Sequence, residues 1–344
     1  MNAFNRLKFA LAGLALGENL AWSTPFLRSQ LQPEWPGRLR REMEADMRVG
    51  ATTSLPQPFT LNRNPAELQP SGHESLEWAV WTLQQLIAHN GTLDHAELHS
   101  AWRHLAETPG IRGRISVQAA LKNIRDGHSA PRSGQFNPHY FDDAALPRAL
   151  VIGLFNQGQP DSAAEQATLD ASFTQAEDGL WSASATAVLA SLLGTQTSIA
   201  EVISTTVAQL PADSWSRRTV EFALEKTRDR NPLSAIDFLN REIALPVYSY
   251  GTVAHEILTV LLVILRIAEK GVEQALGLAA LIPRLAQGLM PLTAAFSAMG
   301  SASDELLEFL PATLRGESLP VLVDLNMVDL LNEVKPLLVK RVAT

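Results

Sequence analysis

Cysteine is missing from all 344 residues, which excludes disulfides, thiolate metal sites, iron–sulfur clusters and cysteine nucleophiles. That absence suits the cytoplasm, the expected location. Cations are the minority, with 28 Lys+Arg against 36 Asp+Glu and a net charge of −8. Phosphate backbones require clustered cations on one face, so no nucleic-acid partner is expected. Aromatics supply only 6% of the chain, and alternating strand patterns with hairpin turns are scarce. Long apolar runs are also lacking. The most hydrophobic stretch, Ile257 to Ile264, is soon followed by Arg266, Glu269 and Lys270, whereas a bilayer span needs about 20 apolar residues, so no membrane is expected. A Gly-rich phosphate loop, a G-x-S-x-G elbow and a His-Glu-x-x-His zinc motif are absent. His95 and His99 stand four apart, but beside Asp94 and Glu97 they read as an ordinary polar face.

What is present is a chain 46% hydrophobic, rich in Ala and Leu, with apolar residues recurring at helical spacing. The opening segment places Arg6 and Lys8 before the run Phe9–Gly17, a pattern that mimics a secretory leader. Glu18 and Asn19 follow at once without a cleavage site, so a helix ending near Leu20 is predicted instead. The spacing predicts further helices over 74–89, from the Thr92–Asp94 cap through Trp102 and Leu105, and over 115–124. More are predicted at about 143–156, 161–174, 182–194, 198–209, 214–228, 233–242, 251–269, 271–299, 302–309 and 323–338. Long irregular stretches remain at about 23–69 and 127–140. Loops beyond about 12–15 residues in compact domains are usually functional or disordered. The basic run Arg38–Arg41 gives way to Glu42, Glu44 and Asp46, an alternation suited to an exposed helix face. The expected architecture is all-α: residues 1–344 form one large, orthogonally packed helical bundle with both long loops on one face.

A spaced series of motifs carries a resemblance. It comprises Leu11-Ala-Gly-Leu-Ala-Leu-Gly-Glu-Asn-Leu20, Gly72-His-Glu-Ser-Leu-Glu-Trp78, Ala144-Ala-Leu-Pro-Arg-Ala-Leu-Val-Ile-Gly-Leu154, Phe173-Thr-Gln175 and Ser249-Tyr-Gly-Thr-Val-Ala-His-Glu-Ile-Leu258. In order and spacing these resemble the ADP-ribosylglycohydrolase family: a G-x-x-x-G-D-A-L helix, T-D-D-T, A-A-M-R-x-x-P-x-G-L, a Thr-His pair, and the helix before a second acidic motif. The resemblance implies a helical fold and action on ADP-ribose or an ADP-ribosylated protein. In the family, T-D-D-T and a late G-G-D-T-D-T supply carboxylates and a threonine to two magnesium ions, hard cations that require oxygen ligands. Here the first motif reads His73-Glu74-Ser75-Leu76, and the late one falls on Pro283-Arg-Leu-Ala-Gln-Gly288. Its aspartate positions become Leu285 and Gln287, its threonine becomes Gly288, and Arg284 adds a positive charge. No Asp or Glu occurs between Ala275 and Ser303. No metal ligand and no cofactor are therefore assigned.

The candidate catalytic residues are Glu18, Glu74 and Glu77. Glu18 is either a pocket carboxylate or a solvated helix end. Glu74 either contacts the old metal site or complements the helix dipole. Glu74 and Glu77, three apart, either share a pocket, as paired carboxylates of glycoside hydrolysis do, or line a solvated face. The candidate ligand-binding residues are Asn19, Ser75, Asn137, Tyr140, Arg148 and Gln287. Ser75 has an alternative as a cap, and Arg148 as the partner of Asp142 or Asp143. Asn137, His139 and Tyr140 close the second long loop, where the family contacts its substrate. The expected function is a non-catalytic or altered binder of ADP-ribose or a related nucleotide. The alternatives are a hydrolase working without the metal pair, and a structural or protein-interaction role.

Overall fold

A computed structural model of the chain describes residues 1–21, 74–195, 197–244, 252–300 and 303–342. The stretch 23–69 with its basic run, Gly72, His73 and Ser249 to Gly251 lie outside the described residues. The architecture is all-α. Among the described residues the only extended pairings are isolated bridges, Asp142 with Val253 and Thr313 with Asn326.

Helix α1 spans Ala3–Ala21, α2 Glu74–Ala88, α3 His95–Glu107 and α4 Ile115–Arg125. A single turn, α5 (Arg132–Gln135), interrupts the stretch expected to be irregular. Next come α6 (Leu146–Phe155), α7 (Pro160–Ala171), α8 (Glu177–Leu192), α9 (Ile199–Ala208) and α10 (Trp215–Lys226). The series ends with α11 (Pro232–Glu242), α12 (Ala254–Ile267), α13 (Gly271–Ala280), α14 (Ala286–Ala298) and α15 (Met327–Val342).

Local chemistry explains most boundaries. The Asp94 carboxylate accepts from the amides of Ala96 and Glu97, as the sequence predicts for the start of α3. Ser198 and Glu201 form a reciprocal capping box on α9. The helix expected over 271–299 is instead two helices, because Pro283 has no amide to donate and disfavours helical backbone at Ile282. The segments 302–309 and 323–338 also differ: the first is a 3₁₀ helix from Asp304 to Phe309, and the second becomes α-helical only at Met327. Helix α8 starts at Glu177, earlier than the predicted 182.

Two contacts position the site. Helix α1 packs so closely on α14 that a Cβ on Gly13 would meet the Ala294 carbonyl carbon at 2.7 Å, and one on Gly17 the Met290 oxygen at 2.4 Å. These glycines allow the last turn of α1 to lie against α14. Beneath α6, Trp78 stacks on Trp102 (ring centroids 5.5 Å apart) and Trp102 on Phe173 (5.9 Å). This aromatic stack joins α2 to α3 in the core.

Candidate functional site

The three carboxylates singled out from sequence are brought near one another, but each is already engaged. Glu18, near the end of α1, is buried and accepts from the Ser75 amide at 2.6 Å and the Leu76 amide at 3.3 Å. It caps α2 from outside the helix, satisfying amides that have no partner within it. Glu18 is therefore not a solvated helix end. Burial pushes its carboxyl up to about 7 despite these donors. Ser75 is buried and adds its own hydroxyl to Glu18, so it serves that contact. Asn19, the next residue, is half-buried.

Glu77 is fully buried and does not share a pocket with Glu74. It receives three amides from a distant loop: Glu317 at 2.9 Å, Ser318 at 2.8 Å and Leu319 at 2.8 Å. Burial raises its carboxyl above the ordinary range, against the pull of those donors. Neither the shared pocket nor the solvated face predicted for the pair holds for Glu77.

Glu74 meets a residue that sequence reasoning missed. Arg114, just before α4, donates Nη1 to Glu74 at 2.9 Å and grips Asp143 through Nε at 2.7 Å and Nη2 at 3.2 Å. The guanidinium side chain is only 8% exposed and Asp143 3%. Burial alone would lower Arg114, but Asp143 and Glu74 outweigh it and hold the group above its ordinary value. One guanidinium serves two carboxylates, so burial still pushes Glu74 and Asp143 upward.

Asp142 anchors the other side. It accepts from the Ser116 hydroxyl at 2.6 Å, the Ser116 amide at 3.1 Å and Gln175 Nε2 at 2.9 Å. Asn137 is buried and donates to the Ser116 and Thr174 carbonyls at 2.7 and 3.0 Å. This amide therefore clamps the 127–140 segment. Arg148, a candidate ligand-binding residue with pairing to Asp142 or Asp143 as the alternative, instead bonds Asp170 at 2.7 Å, Thr174 Oγ1 at 2.8 Å and the Ala144 carbonyl at 3.2 Å. Five or six positions along the chain do not share a helical face, whereas Ala144 at four does. Fully buried, Arg148 also lies 5.2 Å from the Trp102 ring.

From the late segment, Gly288 reaches this cluster. A Cβ there would stand 2.0 Å from Asp143 Oδ2 and 2.5 Å from Ile257 Cδ1. Gln287 is exposed on α14. Tyr140 lines a cavity of about 350 Å³ together with Gln135, Gln175, Glu177 and Leu180. Its hydroxyl donates to Glu177 at 3.1 Å, and burial, reinforced by that carboxylate, raises its pKa. Glu177 holds a left-handed backbone (φ 42°), uncommon for a side-chain-bearing residue and frequent at functional sites. His99 stacks on Phe173 and His95 packs tilted against it, and among the described residues no group of three or more His, Asp or Glu is arranged to hold a metal.

A divalent pair needs several free anionic oxygens converging on one space. Among the described residues, Glu18 and Glu77 are spent on amides, Glu74 and Asp143 on Arg114, and Gly288 brings no oxygen from a side chain. Each of these four carboxylates therefore already holds a donor of this chain's own.

The fold is all-helical, and the buried polar cluster lies where α1, α2, α14 and the residue before α4 meet. A profile of the ADP-ribosylglycohydrolase family matches residues 1–284, and the chain belongs to that family. The match stops just before Leu285, Gln287 and Gly288. No curated protein matches the chain significantly. Among the described residues no helix is long and apolar enough to cross a membrane.

Proposed function

We propose that this family member has exchanged the family's metal pair for a cation of its own, the Arg114 guanidinium, and binds ADP-ribose or a related nucleotide without metal-assisted hydrolysis. The observation that carries this reading is the guanidinium seated between Glu74 and Asp143. It supplies positive charge where two carboxylates meet, and Asp143 fills the space a side chain at position 288 would need. The ligand's place is the cavity beside Tyr140, whose ring offers a planar stacking face and whose neighbour Glu177 offers an acceptor for hydroxyls. The bonding of Glu18, Glu74 and Glu77 argues against a metal-free acid–base pair, since none has a free oxygen pair facing a shared space.

Titration calorimetry with ADP-ribose tests binding, and melting curves with magnesium and manganese test the exchange. ADP-ribose is expected to give heat at millimolar concentration or below, and the metals no shift. Rise of the melting point by several degrees with either metal overturns the exchange. Absence of heat at millimolar ADP-ribose moves the protein to a structural role. Release of ADP-ribose from modified arginine or serine peptides, lost in Glu74→Gln, establishes a hydrolase instead.

A further inference from the structure

A second cavity, of about 320 Å³, lies between α10, the C-terminal end of α11 and the start of α12. Its walls include Trp215, Phe222, Ile243, Glu242, His255 and Glu256. Helix α10 is tied down at both ends. The Ser216 amide and hydroxyl each donate to Asp178 at 2.7 Å, and Arg266 of α12 bonds the Leu224 carbonyl and Thr227 at 2.9 and 2.6 Å. The wall is thus preformed.

One polar atom on each of two side chains in this wall lacks a hydrogen bond. His255 is 1% exposed and Glu256 4%, yet His255 Nδ1 and Glu256 Oε2 are buried without a hydrogen bond. Buried polar atoms are normally satisfied, so neighbouring orphans lining a cavity point to a missing donor or acceptor. The aromatic groups are exposed where apolar rings usually are not: Trp215 is 49% and Phe222 42% accessible, and Trp215 lies on His255 with centroids 4.1 Å apart.

Charge selects the occupant. Glu256 and Glu242 present carboxylates, and the tryptophan and phenylalanine rings present electron-rich faces, which favour a cation. Arg218 stands at the exposed side and bonds the Asp213 carbonyl; burial pushes the Glu256 carboxyl up to about 7, with Arg284 pulling the other way, so an arriving ammonium would draw the proton off Glu256 as it binds. Burial lowers His255 to about 4, so it is neutral, offers a lone pair and does not repel a cation.

From this geometry we infer that the Trp215–His255–Glu256 cavity binds a compact organic ammonium ion, its N–H groups on Glu256 and His255 and its carbon body on Trp215 and Phe222. The inference is independent of the Arg114 cluster.

The test is calorimetry of the full chain with phenethylammonium, compared with its neutral isostere 2-phenylethanol and the anion 3-phenylpropanoate. The amine is expected to bind at low millimolar concentration, and the other two roughly tenfold more weakly or not at all. Glu256→Gln should weaken the amine by about tenfold or more, and Trp215→Ala by several-fold. Absence of amine binding, equal binding of the neutral isostere, or binding unchanged in Glu256→Gln overturns the site. Should Glu256→Gln fail to fold, Trp215→Ala at a half-exposed position and the isostere comparison still decide.

Discussion

Replacing Arg114 by methionine keeps much of the volume and removes the charge. In the native protein the guanidinium makes three contacts of 2.7 to 3.2 Å with Asp143 and Glu74, and its side chain is 8% exposed. Breaking a buried pair by deleting one partner costs about 3–5 kcal/mol, because the remaining charge stays buried. Here two carboxylates are stranded, and burial already raises both. Without the cation they rise further and take up protons that the unfolded chain releases near pH 4. Stability of the variant should therefore fall as pH rises above the ordinary carboxylate range, more steeply than in the native chain. In urea the midpoint should drop with an unchanged slope, and the melting point should fall by roughly 4–7 °C for a chain this size. The triple variant Arg114→Met, Glu74→Gln, Asp143→Asn should recover much of the loss, as neutral replacements of buried ion groups often do. Manganese should partly restore the single variant, by about 1.4 kcal/mol at ten times its dissociation constant, and leave the native chain unmoved. A loss below about 1 kcal/mol in the single variant, or a triple variant no better than it, refutes the electrostatic account.

Glu18 gives a pH test with a definite sign. Its folded value near 7 exceeds the ordinary value of 4.5, so the folded state holds the proton more tightly and stability declines between those values. For this buried group the decline is on the order of 3 kcal/mol, and Glu18→Gln should flatten that part of a stability–pH curve; an unchanged curve rejects the assignment. Glu77→Ala should orphan three amides, two of them buried, and cost about 3 kcal/mol, with new proteolysis around residues 317–319, followed by limited digestion and peptide mapping. Gly288→Thr places atoms inside contact distance of Asp143 and should destabilise by over 1–3 kcal/mol, roughly the range for overpacking; denaturation showing no loss means that α14 moves freely.

The helices were legible because their apolar spacing and caps act over a few residues. Asp94, the α1 run and the Trp78–Trp81–Leu86 face needed no distant information. Pro283 was also visible, and the reading of one helix over 271–299 passed over its missing amide. The site was less legible. Glu77 finds its donors some 240 positions away, a pairing that no local pattern encodes. Arg114 stands between Gly113 and Ile115 with no motif around it, so its role emerges only once α4 delivers it to Asp143 and Glu74. The departures at Leu285, Gln287 and Gly288 were readable, but not that Asp143 would occupy the room left at Gly288. Of the paired aspartates, only the choice of Arg148 partner was open to geometric correction in advance, since Ala144 and not Asp143 lies one turn away.

The bond from Glu18 to the first amides of α2 has a consequence for how the chain tolerates change. It fastens Ala21 and Glu74 at neighbouring points, whatever runs between them. For any flexible connector between fixed points, closure entropy grows only with the logarithm of length. The same bond sets where α2 begins, so a change in the length of what precedes it leaves the first turn of that helix with its donors answered.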